Sequence, residues 1–127
     1  DIINKLSLKK KIFILNKIPY NSLLEITASA DVGYALIPSV GISNRFALPN
    51  KLFEYAAAQL PTLASKLPNL EKAIKSYNLG KCYRYNDLNG HIKFILSADK
   101  KNFFTKESSS LKWTSQEEEF KAIVLDE

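Results

Sequence analysis

Lys51 and Glu54 open a segment, PNKLFEYAAAQLPTLAS over residues 49–65, whose other residues read as largely buried. A carboxylate among alanines and aromatics is costly unless something partners it. Asn50 reads as the N-cap of a helix over about 50–59. The free N–H groups of that first turn, with the helix dipole, form an anion site of the kind phosphates occupy. Lys51 opposes the dipole there, so helix stability does not account for it, whereas a bound phosphate does. Glu54, three residues on, lies on nearly the same face. A carboxylate at that point is acceptor-only and can take two hydroxyl hydrogen bonds from a sugar. The plainer alternatives are a solvent-facing lysine and a Lys51–Glu54 surface pair worth a few tenths of a kcal/mol. Phe53, Tyr55, Ala56 and Ala57 around the carboxylate point to partial burial and favour a ligand.

The elements that must position these residues alternate between short apolar runs and amphipathic stretches. IFIL (12–15) is a continuous apolar run of the kind found in a strand buried on both faces. VGYALI (32–37), TLAS (62–65) and KCYRY (81–85) read as further strands, the last with Gly80 before it as a helix stop. Helices are predicted over about 20–29 after Pro19, about 50–59, about 69–77 with Leu70, Ala73, Ile74 and Tyr77 on one face, and about 88–97 behind Asp87 as N-cap. This alternation predicts an α/β fold with a parallel sheet covered on both faces. Ligands of such sheets sit beyond the carboxyl ends of the strands. The loops to watch are therefore Asn16 to Tyr20, Pro38 to Asn50 and Ser65 to Asn69.

Residues 1–97 are expected to form the latter part of a Rossmann-like domain, because IINKLSL (2–8) reads as the last turns of a helix and the chain then opens inside a strand-helix unit. Residues 98–127 are expected to form a loop, polar over 98–112, and a C-terminal helix. Ser115 and Glu118 resemble a capping box for that helix, and Trp113, Phe120, Ile123 and Val124 supply its apolar face.

Composition excludes several classes. The chain has 127 residues, 46% hydrophobic and 24% charged, as in one soluble globular domain. No apolar run reaches the roughly 18 residues of a membrane span, and the first residues lack the layout of a signal peptide, so a cytoplasmic setting is expected. With Cys82 the one cysteine and His91 the one histidine, thiol and metal chemistry are set aside. Both read as packing residues. The net charge of +5 comes from scattered lysines and short runs such as Lys9-Lys10-Lys11, without interleaved aromatics, which favours a solvated basic face over nucleic-acid binding.

Asn50-Lys51-Leu52-Phe53-Glu54-Tyr55, the alanines after it and Leu60-Pro61-Thr62-Leu63-Ala64-Ser65 resemble the donor-site segment of retaining glycosyltransferases of the GT-B fold, family 4. IFILNKIPYNSLLEITASADVGYALIPS before it and NLEKAIKSYNLGKCYRYND after it resemble that family's flanking segments in the same order, so the resemblance covers about residues 10–97. It implies the C-terminal, donor-binding half of the GT-B fold, with a final helix that crosses back to the N-terminal domain. It also implies transfer of a sugar from a nucleoside diphosphate sugar, with retention and without a metal or other cofactor, to a glycan or lipid-linked acceptor. By the same resemblance Glu54 grips the ribose, Asn50 and Lys51 face the diphosphate, and the Lys17, Ile18, Pro19 turn meets the base through its main chain. The family's other glutamate falls where this chain has Phe46, which leaves main chain around Ser43 to Leu48 to meet the transferred sugar. The family's phosphate-neutralising Arg and Lys, and its acceptor domain, precede the segment matched here. The chain alone is therefore expected to be inactive, to partner an N-terminal acceptor domain in the intact enzyme, and to leave peripheral membrane association of that enzyme open.

Two rival readings are a sugar-nucleotide epimerase of similar fold and a non-enzymatic receiver-type signalling module. The first needs catalytic carboxylates and a histidine that this stretch does not offer. The second needs acidic residues where Asn16-Lys17 and Pro38-Ser39 follow the strands. Because strands are expected to be absent between IFIL and VGYALI, the chain is also predicted to self-associate.

Overall fold

A computed structural model describes residues 2–104 of the chain. In order, the elements are α1 (Ile2–Lys5), α2 (Tyr20–Ser29), β1 (Gly33–Ala35), α3 (Gly41–Arg45), α4 (Asn50–Ala57), β2 (Thr62–Ser65), α5 (Pro68–Ser76), β3 (Gly80–Tyr83) and α6 (Leu88–Ser97), followed by a short 3-10 turn over Lys100–Asn102. The strands form one parallel sheet in the order β1-β2-β3, with Gly33 beside Thr62 and Thr62 beside Gly80. The expected α/β architecture with a small parallel sheet is present.

TLAS sits in the middle strand and is buried at every position, which requires cover on both faces. Ala35 and Ala64 join Leu52 and Ala56 of α4 and Leu70 and Ile74 of α5 in one apolar cluster. Leu63 points to the opposite face, as alternation along a strand dictates, and is equally buried. There α6 packs against β2 and β3, its Phe94 fully enclosed. The predicted face of α5 is borne out: Leu70 and Ile74 are buried, and Ala73 and Tyr77 pack against the cluster.

Local chemistry sets the ends of the helices. Asp87 caps α6 by accepting from the Gly90 N–H at 2.9 Å. Helix α4 ends two residues short of the predicted 59, where Gln59 takes a left-handed φ of 50°. The stop after α5 is likewise Asn78, at φ 49°, and not Gly80 as the sequence suggested. Gly80 lies within β3 for a different reason. A Cβ there would stand 2.0 Å from the Thr62 carbonyl oxygen, so only glycine lets β3 close on β2.

The expected first strand is not formed. Residues 12–15 have no regular structure, and Ile12, Phe13, Ile14 and Leu15 are 44, 73, 84 and 64% exposed. A strand of this composition is stable only between neighbours that cover it, and no described strand pairs with it. VGYALI is also shorter as a strand than predicted, and β1 is an edge among the described strands. Beyond α6 the chain returns to the sheet, with the Phe104 N–H donating to the Asn78 carbonyl at 2.9 Å and Lys100 Nζ donating to the Ala28 carbonyl at 2.8 Å in the last turn of α2. The predicted C-terminal helix with Ser115 and Glu118 lies outside the described residues. No described helix is long and apolar enough to cross a membrane.

Candidate functional site

In a strand-helix-strand unit with parallel strands, the helix begins at the carboxyl end of the first strand. The starts of α4 and α5 therefore share one edge of the sheet with the loops after β1 and β2. Two hydrogen bonds organise this edge. Ser65 Oγ, at the end of β2, accepts from the Ile37 N–H at 2.7 Å, and Asn69 Nδ2 donates to the Phe46 carbonyl at 2.7 Å. The first fixes the path leaving β1, and the second ties the end of α3 to the first turn of α5. Neither partner was identifiable from local pattern: Ser65 reads only as the last residue of a strand, and Asn69 only as a residue near a helix start.

The long loop after β1 also contains a feature the sequence did not reveal, the short α3 over Gly41–Arg45. Its first residue has φ +79°, a conformation that suits glycine. Phe46, which stands where the resemblance calls for a glutamate, is exposed, with the Arg45 guanidinium 5.9 Å from its ring centre. Its carbonyl is engaged by Asn69, so the main chain at that point is held in place.

At the start of α4 the cap position belongs to Pro49, and Asn50 is the first helical residue, which corrects the predicted capping role of Asn50. Proline's fixed φ and extended ψ, here −74° and 144°, suit the non-helical residue before a helix. No described side chain caps α4; of its first-turn N–H groups, that of Leu52 donates to the Pro49 carbonyl at 3.0 Å. Lys51 is exposed in that turn, and Glu54 is half-buried one turn later. Among the described residues these two form no ion pair with each other or with another side chain, whereas Glu71 and Lys75 do, at 3.1 Å. The surface-pair alternative for Lys51 and Glu54 is thus not realised.

Helix α4 is anchored on its other side. Leu52 and Ala56, four residues apart, are buried, and the Tyr55 ring lies against Gly33 so closely that a Cβ on Gly33 would be 2.6 Å from it. The Tyr55 hydroxyl donates to the Tyr34 carbonyl at 3.3 Å. Burial raises the Tyr55 pKa above that of an ordinary phenol, and the neighbouring Glu54 charge adds to the effect. Glu54 is therefore carried on a helix fixed to β1 by Tyr55.

The Lys17, Ile18, Pro19 turn lies in chain without regular secondary structure before α2, with Lys17 and Pro19 exposed and Ile18 half-buried. Pro19 precedes the first residue of α2, and its carbonyl accepts from the Ser22 N–H at 3.1 Å. Helix α2 packs on α4, but no hydrogen bond among the described residues joins the turn to the α4 start. The structure brings together Asn50, Lys51 and Glu54, and leaves Lys17, Ile18 and Pro19 without such a link.

The remaining polar candidates are packing residues. His91 is buried, its Nε2 3.1 Å from the Arg84 carbonyl and its ring edge-on to Tyr83. Burial pushes the Cys82 thiol up to about 11, which keeps it protonated and a poor nucleophile at neutral pH. No group of metal-ligating side chains occurs among the described residues. Comparison of the chain with known protein families, characterised proteins and solved structures gave no match.

Proposed function

We propose that the chain binds the nucleoside diphosphate part of a nucleotide-sugar and serves as the donor-binding part of a retaining glycosyltransferase of GT-B type. The observation that carries this reading is the start of α4 on the carboxyl edge of the sheet: a first turn without a side-chain cap, bearing a Lys51 that forms no ion pair among the described residues, then a half-buried Glu54 with no partner among the described side chains. A diphosphate answers the first pair of features. It accepts hydrogen bonds from N–H groups at a helix start and neutralises a lysine that the dipole otherwise disfavours. A ribose answers the third, since vicinal hydroxyls can both donate to one carboxylate.

In the proposed reaction, charge accumulates on the diphosphate as the bond to the sugar breaks. The oriented α4 amides and Lys51 stabilise that charge without having to reorganise. The ordered likeness of residues 10–97 to the family 4 donor domain supports the transferase over other nucleotide-binding roles, with the acceptor supplied from elsewhere in the intact enzyme.

The direct test is Lys51→Ala, titrated with a nucleoside diphosphate and with the matching nucleoside. Affinity for the diphosphate should fall roughly tenfold while that for the nucleoside stays within about twofold. Equal losses for both ligands would remove Lys51 from the phosphate site.

A further inference from the structure

Residues 2–17 combine exposed apolar side chains with charge of a single sign. Ile12, Phe13, Ile14 and Leu15 stand in solvent, as do Ile2 and Leu6, one helical turn apart at α1. None of residues 2–17 is buried. Lys5, Lys9, Lys10, Lys11 and Lys17 lie among them, all exposed, and the stretch contains no Asp or Glu. None of these lysines forms an ion pair among the described residues. Single apolar residues on a surface need no explanation, but a contiguous group of this size marks a contact surface.

The sheet gives the apolar run no place. At the β1 edge the Tyr55 ring lies against Gly33, and the Tyr34 carbonyl already accepts from the Tyr55 hydroxyl at 3.3 Å. At the other edge β3 carries Lys81, a charge of the kind that discourages strand addition. Lysines flank the run on both sides, Lys9 to Lys11 before it and Lys17 after it. Whatever covers Ile12–Leu15 therefore meets ammonium groups at both margins. The boundary between headgroups and acyl chains in an anionic bilayer takes both parts: apolar side chains enter the acyl region, and lysines reach back to the negative headgroups.

We infer that residues 2–17 attach the chain to the surface of a bilayer rich in anionic lipid, with Phe13 and Ile14 inserted and the lysines at the headgroups on either side. Stable attachment takes two signals, and this stretch supplies an apolar one and a basic one. A lysine close to such a surface strengthens binding about fivefold, and the effect fades within a Debye length as salt rises.

The test sediments the whole chain with vesicles of phosphatidylcholine alone and of an equal mixture of phosphatidylcholine and phosphatidylserine. Binding to the mixture is expected, with little to phosphatidylcholine alone. Replacing Lys9, Lys10 and Lys11 together by Gln should weaken it roughly a hundredfold. Phe13→Ser with Ile14→Ser keeps every charge and should weaken it by about tenfold or more, with unchanged circular dichroism because both side chains are exposed. No binding to the mixture, equal binding to both vesicles, or binding that either set of substitutions leaves unchanged would overturn the inference. So would slow amide hydrogen exchange at residues 12–15 in the vesicle-free chain, which would place the run in the chain's own sheet. A mass that doubles with concentration in light scattering and returns to monomer in the double Ser variant would instead make a second copy the occupant, and would overturn it as well.

Discussion

Glu54 is the residue on which the proposed site depends most, because nothing inside the described fold uses its charge. Glu54→Gln keeps the shape and one acceptor oxygen but removes the charge that strengthens hydrogen bonds from sugar hydroxyls. Nucleotide-sugar affinity should fall by roughly tenfold while the unfolding midpoint stays within about a degree, since no partner among the described residues is lost. Calorimetric titration and thermal melts of the same sample check both halves, and unchanged affinity in the folded variant would reject the ribose contact. Cys82 gives a prediction of the opposite kind, about the core. Its thiol titrates near 11 in the fold and near 9 when unfolded, so between those values the unfolded chain holds fewer protons and stability should fall as pH rises. At neutral pH the folded thiol should resist iodoacetamide and react freely in denaturant. Labelling of the native chain as fast as in denaturant would contradict its partial burial and raised pKa. In the sequence, the pairing of Lys51 with Glu54 was legible as a candidate site because a charge pair in an apolar segment needs an explanation. Ser65 and Asn69, which hold the surrounding loops, were not, because each bonds to main chain far along the sequence.

Among the elements, the helices were the most legible: α2 and α6 have the predicted limits, and the Asp87 cap explains the second. Their periodicity and caps are local signals. The strands depend on neighbours, and this is where reading and structure part. TLAS is central and forms as predicted, whereas IFIL has the stronger apolar signal and pairs with no described strand, because composition does not specify a partner. Gly80 shows the same limit. Its position suggested a helix stop, but the need for glycine arises from Thr62 across the sheet. Gly80→Ala should therefore destabilise the fold by at least about 2 kcal/mol, through backbone displacement between β2 and β3. Urea unfolding measures this, and a variant within about 0.5 kcal/mol of the parent would show that β3 can move away at little cost.

At the scale of the whole molecule, three parallel strands with helices on both faces hold the start of α4 at the carboxyl edge, where α/β proteins take their ligands. A basic chain of net charge +5 suits an anionic ligand, and the steering it provides should weaken as salt is raised. The central claim is that a nucleoside diphosphate binds at this edge through Lys51 and Glu54. Isothermal titration of the whole chain with a panel of nucleoside diphosphates, each paired with its nucleoside, tests it most directly. Saturable binding of one molecule per chain is expected for at least one diphosphate, with weaker binding of its nucleoside and loss of affinity in both Lys51→Ala and Glu54→Gln. Binding that survives both substitutions unchanged, or no binding of any diphosphate at about millimolar concentration, would contradict it.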